Sequence, residues 1–295
     1  MRTRRSHYRR LSERLKLYRE ARRLQQRGFS QRKIGRALGV PRSQIGMWLS
    51  LGIRPRYDHY LPSLRPTPDL AYLLGFWLGD GRNAGKEKKV RFKLADRQQI
   101  AYVNRLTARL LSRNPKRVRR DGPFYVVDYD TAVLYDYMSQ SLARLRGCIW
   151  GFKADFLRGF FDAEGYASCH VDASSRRMGY FRVGAANTNR GYLELAKRLL
   201  NAMNIESSIR ITNRAGTSMT IRSKTWKRKH DVYHVIINGP RLAERFCNEI
   251  GFSNSAKRLK LRDLVRAFRL PPEKRFPWFA KQYERRGRRW MKIER

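Results

Sequence analysis

Two nine-residue segments, Leu73-Leu74-Gly75-Phe76-Trp77-Leu78-Gly79-Asp80-Gly81 and Leu157-Arg158-Gly159-Phe160-Phe161-Asp162-Ala163-Glu164-Gly165, align without gaps 84 residues apart. Each delivers one carboxylate, Asp80 or Glu164, to its end. Each also carries small residues four apart, Gly75 with Gly79 and Gly159 with Ala163, on one helical face. Small faces let helix backbones come unusually close, so the two segments are expected to pack helix to helix and draw the acids together. A carboxylate at a helix C-terminus meets the negative end of the macrodipole, at a cost of roughly 0.3–1 kcal/mol. A second carboxylate nearby adds like-charge repulsion. Divalent cations relieve both. The two acids, with the helix-terminal carbonyls of Gly79 and Ala163, are hard oxygen donors suited to Mg2+, with Mn2+ as a substitute. Gly81 and Gly165 are expected in the left-handed conformation that terminates a helix. Asp162, whose counterpart is Leu78, reads as structural.

The surrounding sequence repeats as well. Val90–Leu94 and Gly179–Val183 alternate as strands. Amphipathic helices follow, with apolar faces at Ile100, Val103, Leu106, Leu110 and Leu111 and at Leu193, Ala196, Leu199, Leu200 and Met203. Phe124–Tyr129 and Tyr233–Ile237 supply later strands, and further helices are expected over 131–146 and 240–249. Each unit therefore reads as helix, strands, helix, strands, helix, which is an α+β fold built twice.

The paired motifs resemble the signatures of the LAGLIDADG homing endonucleases in their single-chain, two-repeat form, over about residues 68–265. That resemblance implies two αββαββα repeats meeting at the motif helices, with a pseudo-two-fold saddle of strands on double-stranded DNA. It implies a monomer that makes a metal-dependent double-strand break and leaves 3′ overhangs. It also implies metal and catalytic roles for Asp80 and Glu164. The segment Ile250-Gly251-Phe252 through Lys257 and Leu261 is similar to the family's late motif, which makes Lys257 a candidate for polarising solvent near the scissile phosphate. Metal ions can activate water and neutralise phosphoryl charge, so this chemistry requires no His or Ser nucleophile. Arg91, Lys93, Arg182, Arg210, Arg222 and Lys224 are strand candidates for the saddle's DNA face, subject to side-chain alternation.

The composition agrees with a polyanionic partner: 66 Lys and Arg stand against 24 Asp and Glu, a formal charge of +42. Residues 1–66 are the most one-sided block, with 18 basic and three acidic residues. Leu11, Leu15, Tyr18, Ala21 and Leu24 give a helical stripe ending at Gly28, and Ser30 offers an N-cap for a second helix. The pattern Ile34, Gly35, Ala37, Leu38, Gly39, Val40, Ile45, Trp48 resembles a helix-turn-helix. Arg42, Ser43, Gln44 and Met47 would then face the major groove. The expected organisation is 1–51 helix-turn-helix module, 52–69 Pro-rich linker, 70–152 first repeat, 153–270 second repeat and 271–295 basic aromatic tail. In that tail Trp278, Phe279, Tyr283 and Trp290 suit either stacking on nucleic acid or packing against the body.

Cys148, Cys169 and Cys247 are too few and scattered for a disulfide or zinc framework. His230 and His234 are four apart but lie in a strand pattern, so they are not read as a metal pair. No apolar run spans a bilayer and no secretory leader opens the chain. An intracellular protein of the cytoplasm, nucleoid or an organelle is expected. The ends at Met1 and Glu294-Arg295 suit a free-standing or intron-encoded protein rather than an intein. Three other readings share some of these features: a cleavage-inactive DNA-binding regulator, an RNA maturase and a basic ribosome-associated structural protein. The last leaves the repeated carboxylates unexplained.

Overall fold

The computed structural model describes residues 11–55, 64–84, 89–172, 174–221, 224–286 and 289–293. Residues 1–63 and 64–295 form separate compact units. The first holds α1 (Leu11–Gln26), α2 (Gln31–Leu38) and α3 (Arg42–Leu49). Ser30 caps α2 by accepting from the Lys33 amide at 3.4 Å, and Gly39 ends it at φ 60°, the left-handed region that favours glycine. A Cβ on Gly35 would stand 2.8 Å from the Val40 carbonyl, so the turn between α2 and α3 requires glycine there. Ala21, Ile34, Val40, Ile45 and Trp48 form the core of this unit, with Tyr18 edge-on to Trp48 at 6.0 Å. Gln31 donates to Ser50 at 2.7 Å, tying the start of α2 to the end of α3.

The second unit contains two halves of the same design. The first runs α4 (Pro68–Asp80), β1 (Gly81–Ala84), β2 (Lys89–Leu94), α5 (Arg97–Leu110), β3 (Arg119–Asp121), β4 (Phe124–Asp130), α6 (Ala132–Met138) and α7 (Arg146–Gly151). The second runs α8 (Lys153–Glu164), β5 (Gly165–Asp172), β6 (Arg177–Asn187), α9 (Arg190–Asn201), β7 (Ser208–Asn213), β8 (Ser218–Ile221), β9 (Lys224–Lys227), β10 (Val232–Asn238), α10 (Pro240–Glu249) and α11 (Ser255–Arg269). Their antiparallel sheets have matching orders, β1-β2-β4-β3 and β5-β6-β10-β7. Along β2, Val90, Phe92 and Leu94 are buried, while Lys89, Arg91 and Lys93 alternate onto the other face.

The helices start and stop for local reasons. Thr67 caps α4 by accepting from the Leu70 amide at 3.2 Å, with Pro68 at its first turn. The first half therefore begins two residues earlier than the expected linker boundary. Asp96 caps α5, accepting from Gln98 and Gln99. The helix expected over 131–146 stops at Met138, and α7 begins only at Arg146, because the chain turns at Ser141, whose carbonyl accepts from the Arg144 and Leu145 amides.

Residues 70–77 of α4 are all buried, as in a helix enclosed on every side. This helix and α8 meet backbone to backbone. A Cβ on Gly75 would lie 2.0 Å from the Phe156 carbonyl, and one on Gly159 would lie 2.0 Å from the Tyr72 carbonyl. One added to Gly79 would come within 2.5 Å of Ala163 Cβ. The small residues are therefore the contact itself.

One expectation changes. Among the described residues, β8 and β9 pair only with each other, as a two-stranded sheet between β7 and β10 in the chain. Lys224 thus belongs to that pair rather than to the four-stranded sheet, and Arg222 lies outside the described residues. The tail forms α12 (Pro272–Ala280) and a hairpin of β11 (Tyr283–Arg286) and β12 (Arg289–Lys292). Phe279 and Tyr283 are buried, Trp278 is half-buried and Trp290 packs edge-on to Phe279. Tyr283 and Lys292 both donate to the buried Asp263 of α11, at 2.9 and 2.6 Å. Asp263 thus gives the Tyr283 hydroxyl a buried partner, and Trp290 packs on the ring of Phe279.

Gly159→Ala is expected to lower stability by about 3 kcal/mol or more, since the clash is with backbone that has no rotamer to yield. Gly147→Ala, on α7 with nothing within 4 Å of the new methyl, is expected to be neutral or stabilising by up to about 1 kcal/mol. Urea unfolding of both variants checks the contrast.

Candidate active site

Both motif helices end in an acid followed by glycine, but neither glycine is left-handed: Gly81 has φ −80° and Gly165 φ −88°. They are needed for space. A Cβ on Gly81 would stand 2.0 Å from the Trp77 ring, and one on Gly165 would stand 2.4 Å from the Phe161 carbonyl. The chain thus passes from helix into strand directly beneath each acid.

The close crossing brings the acids into one electrostatic site. Glu164 Oε1 lies 3.4 Å from where a Gly79 Cβ would be, beside the residue preceding Asp80. Burial pushes the Glu164 carboxyl up to about 7, and the charge of Asp80 adds to the rise. Asn187 at the end of β6 donates to Glu164 Oε1 at 2.8 Å, and with Lys257 it opposes that rise. Asp80 is exposed at its rim, yet the packed protein behind it pushes its carboxyl up to about 6, against the pull of Lys257.

Lys257 reaches this site from the first turn of α11. Its Nζ donates to the carbonyls of Asp162 at 2.6 Å, Phe161 at 3.3 Å and Ala163 at 3.4 Å. Burial lowers its pKa, against the raising charges of Asp162, Asp80, Glu164 and Asp96. Asp162 explains how α11 is held there. Its carboxylate, 4% exposed, accepts from Tyr72 Oη at 2.7 Å, the Ser253 amide at 3.0 Å and the Asn254 amide at 3.1 Å. Asn254 then caps α11 by accepting from the Lys257 amide at 3.0 Å, and donates to Asp96 at 2.7 Å. One buried acid thus joins the two motif helices to the segment that delivers the lysine.

Among the described residues, no group of three or more His, Cys, Asp and Glu gathers as a ready-made metal cage. Asp80 and Glu164, with nearby backbone carbonyls, form an oxygen-rich donor set of two carboxylates. Such a set suits a hard cation that completes its shell with water and a phosphate. The Ala163 carbonyl is shared with Lys257.

The strand residues fall into different environments. Arg91 binds Asp128 and Lys93 binds Asp121 at 2.7 Å, all on the exposed face of the first sheet. Arg182 lies over the Tyr180 ring at 3.8 Å and donates to Asn238, and Arg210 is exposed on β7 opposite His234. In the N-terminal unit Arg42, Ser43 and Met47 are exposed and Gln44 is half-buried. The sequence does not single out Asn187. Its approach to Glu164 depends on the register of β6 with β5, where Gly165 pairs with Ala185; the strand register of a polar residue at a strand end has no local signature.

Residues 151–251 match the model of the LAGLIDADG-like domain. The uncharacterized protein MJ0398 of Methanocaldococcus jannaschii is 26% identical over 242 residues, which span 79% of this chain and 84% of that one. The glutamine–fructose-6-phosphate aminotransferase of the same organism is 23% identical across 68% of this chain, but the match takes in only 18% of that protein. The crystal structure of I-DmoI in complex with DNA and Ca covers 66% of this chain and 97% of its own, at 20% identity and a TM-score of 0.46. No helix among the described residues is long and apolar enough to cross a membrane. The family match thus falls on the second of two halves, and the first half shares its sheet order and its acid-ended helix motif.

Proposed function

We propose that this protein is a site-specific DNA endonuclease of the homing type, acting as a monomer with internal pseudo-two-fold symmetry. It would use divalent cations to cut both strands of a long target and leave 3′ overhangs. The observation that carries the reading is the coupled site: Asp80 and Glu164, with pKa values raised to about 6 and 7, share a centre with Lys257. Asp80 and Glu164, with the carbonyls of Gly79 and Ala163, would hold Mg2+, for which Mn2+ would substitute. When bound, such an ion supplies an activated water and neutralises charge on the phosphoryl group. Lys257 places a fixed positive charge beside both acids. Asn187 orients Glu164, and Asp162 holds the lysine's helix in place.

The +42 charge supports a nucleic acid partner, since each phosphate contact releases condensed counterions. Arg91, Lys93, Arg182 and Arg210 stand on exposed sheet faces where a duplex would lie. Helix α3 would present Arg42, Ser43, Gln44 and Met47 to a major groove. That three-helix unit also favours a second reading, a regulator that binds DNA without cutting it.

The raised carboxyls make metal-free stability depend on pH. Both groups hold protons more tightly folded than unfolded, so their ionisation opposes folding above about pH 7, and that opposition fades as pH falls toward the unfolded values. Glu164→Gln is therefore expected to melt higher than wild type near about pH 8 by roughly a few degrees, with most of the gain lost by about pH 5 and the rest gone below about pH 4. Thermal melts without metal check this, and added Mg2+ should raise the wild-type melting point at the higher pH only.

Cleavage is tested by incubating the protein with Mg2+ and a randomised duplex library and sequencing the cut ends. Site-specific double-strand breaks with 3′ overhangs are expected, and Asp80→Asn or Glu164→Gln should abolish them. Selective binding with no cleavage in Mg2+ or Mn2+, at sites present in the library, would replace the nuclease with the regulator.

A further inference from the structure

The exposed faces of the two sheets differ in a way their shared topology does not require. On the first, Arg91 of β2 donates from Nε to Asp128 Oδ1 at 2.6 Å and from Nη2 to Oδ2 at 3.2 Å. Arg119 of β3 binds the same carboxylate from the other side. Arg91 and Asp128 are directly paired across β2 and β4, and Arg119 pairs with Val126 two residues away, so all three share one face. Asp128 keeps only 15% of its side chain exposed, beneath Arg91 at 42% and Arg119 at 61%. Burial pushes the Asp128 carboxyl up, but the hydrogen bonds and charges of the two arginines outweigh it and hold the group below the usual carboxylate range.

Among the described residues, the second sheet lacks this arrangement. Gly81 pairs with Phe92 and Gly165 with Ala185, which sets the correspondence between halves. The pair matching Arg91 and Asp128 is then Gly184 opposite Ile236. The fold therefore forms without the carboxylate. Further acids accompany the basic residues of the first sheet, with Lys93 on Asp121 at 2.7 Å and Lys89 on Asp130 at 3.5 Å. On the second sheet, Arg182 is held by a neutral amide and an aromatic ring.

A carboxylate on a face turned to DNA weakens the attraction to phosphates, so phosphate binding alone gives no reason for it. What it supplies is orientation. A carboxylate along one edge of an arginine holds its guanidinium in a set plane, and the guanidinium fork matches the O6 and N7 acceptors of guanine in the major groove. Rigid support of this kind lowers the entropy lost on contact and sharpens discrimination.

We propose that Arg91, Asp128 and Arg119 form a base-reading clamp that fixes guanine preference within one half of the DNA target, while the second sheet contributes more to phosphate contact. The proposal rests on the DNA-binding reading above, and cleavage does not enter it. Asp128 is a positioning residue, and the arginines are the groups that touch bases.

The test is selection of bound sequences from a randomised duplex library in Ca2+, for the full-length wild type, Asp128→Asn and Arg91→Lys, with melting temperatures recorded alongside. Wild type is expected to enrich guanine at one or two positions confined to one half of the site. Asp128→Asn should bind random DNA at least as tightly yet lose that preference on the order of tenfold, with other positions unchanged. Arg91→Lys keeps the charge and loses the fork, so it should relax guanine preference at one of those positions. It decides the matter alone if Asp128→Asn fails to fold. A folded Asp128→Asn or Arg91→Lys with the wild-type preferences, or with an even loss across the whole site, would overturn the clamp. A wild type that enriches no sequence would overturn the DNA-target reading as well.

Discussion

Everything in the second unit hangs on the contact between α4 and α8, where Gly75 meets the Phe156 carbonyl and Gly159 meets the Tyr72 carbonyl. No side chain separates the two backbones there, so the helices have almost no freedom to slide or rotate. Each helix passes into the first strand of its own sheet through a glycine whose hydrogen must sit against Trp77 or Phe161. The geometry of the crossing is thereby transmitted to both sheets. The same crossing forces two carboxylates into proximity at the point where helix dipoles and burial both disfavour them.

That placement has a structural cost which the rest of the chain only partly offsets. Lys257 brings a compensating charge, but it is itself half-buried and is held by three backbone carbonyls and the capped start of α11. Asp162 makes the delivery possible by bridging Tyr72 of one motif helix to the amides of Ser253 and Asn254. The site is not symmetric. Asn187 supports Glu164, and the corresponding position beside Asp80 is the buried Leu94. The halves share a topology and differ in how each acid is supported, just as the two exposed sheet faces differ in how their arginines are held.

Much of this was legible in the sequence, because the deciding signals are local. The paired motifs, the four-residue spacing of small residues and the alternation of strands such as Val90–Leu94 all act within a few residues. The Gly35 and Gly39 turn of the N-terminal unit was readable for the same reason. What failed was contact at a distance. Gly81 and Gly165 looked like left-handed caps, yet the constraint on them is the space beside Trp77 and Phe161. Lys224 had a strand pattern, but nothing local says that its strand pairs in a separate two-stranded sheet. The tail aromatics left two readings open until Asp263 supplied buried partners for Tyr283 and Lys292. Asn187 and Asp128 meet their partners only through strand register.

The central claim is that backbone contact between two helices couples Asp80 and Glu164 in one site. Carboxyl-carbon NMR titration of metal-free wild type and Asp80→Asn measures that coupling directly. The account predicts that Glu164 titrates near about 7 in wild type and moves down when Asp80 is neutralised. A Glu164 that titrates near its ordinary value of 4.5, or that does not respond to Asp80→Asn, would contradict it.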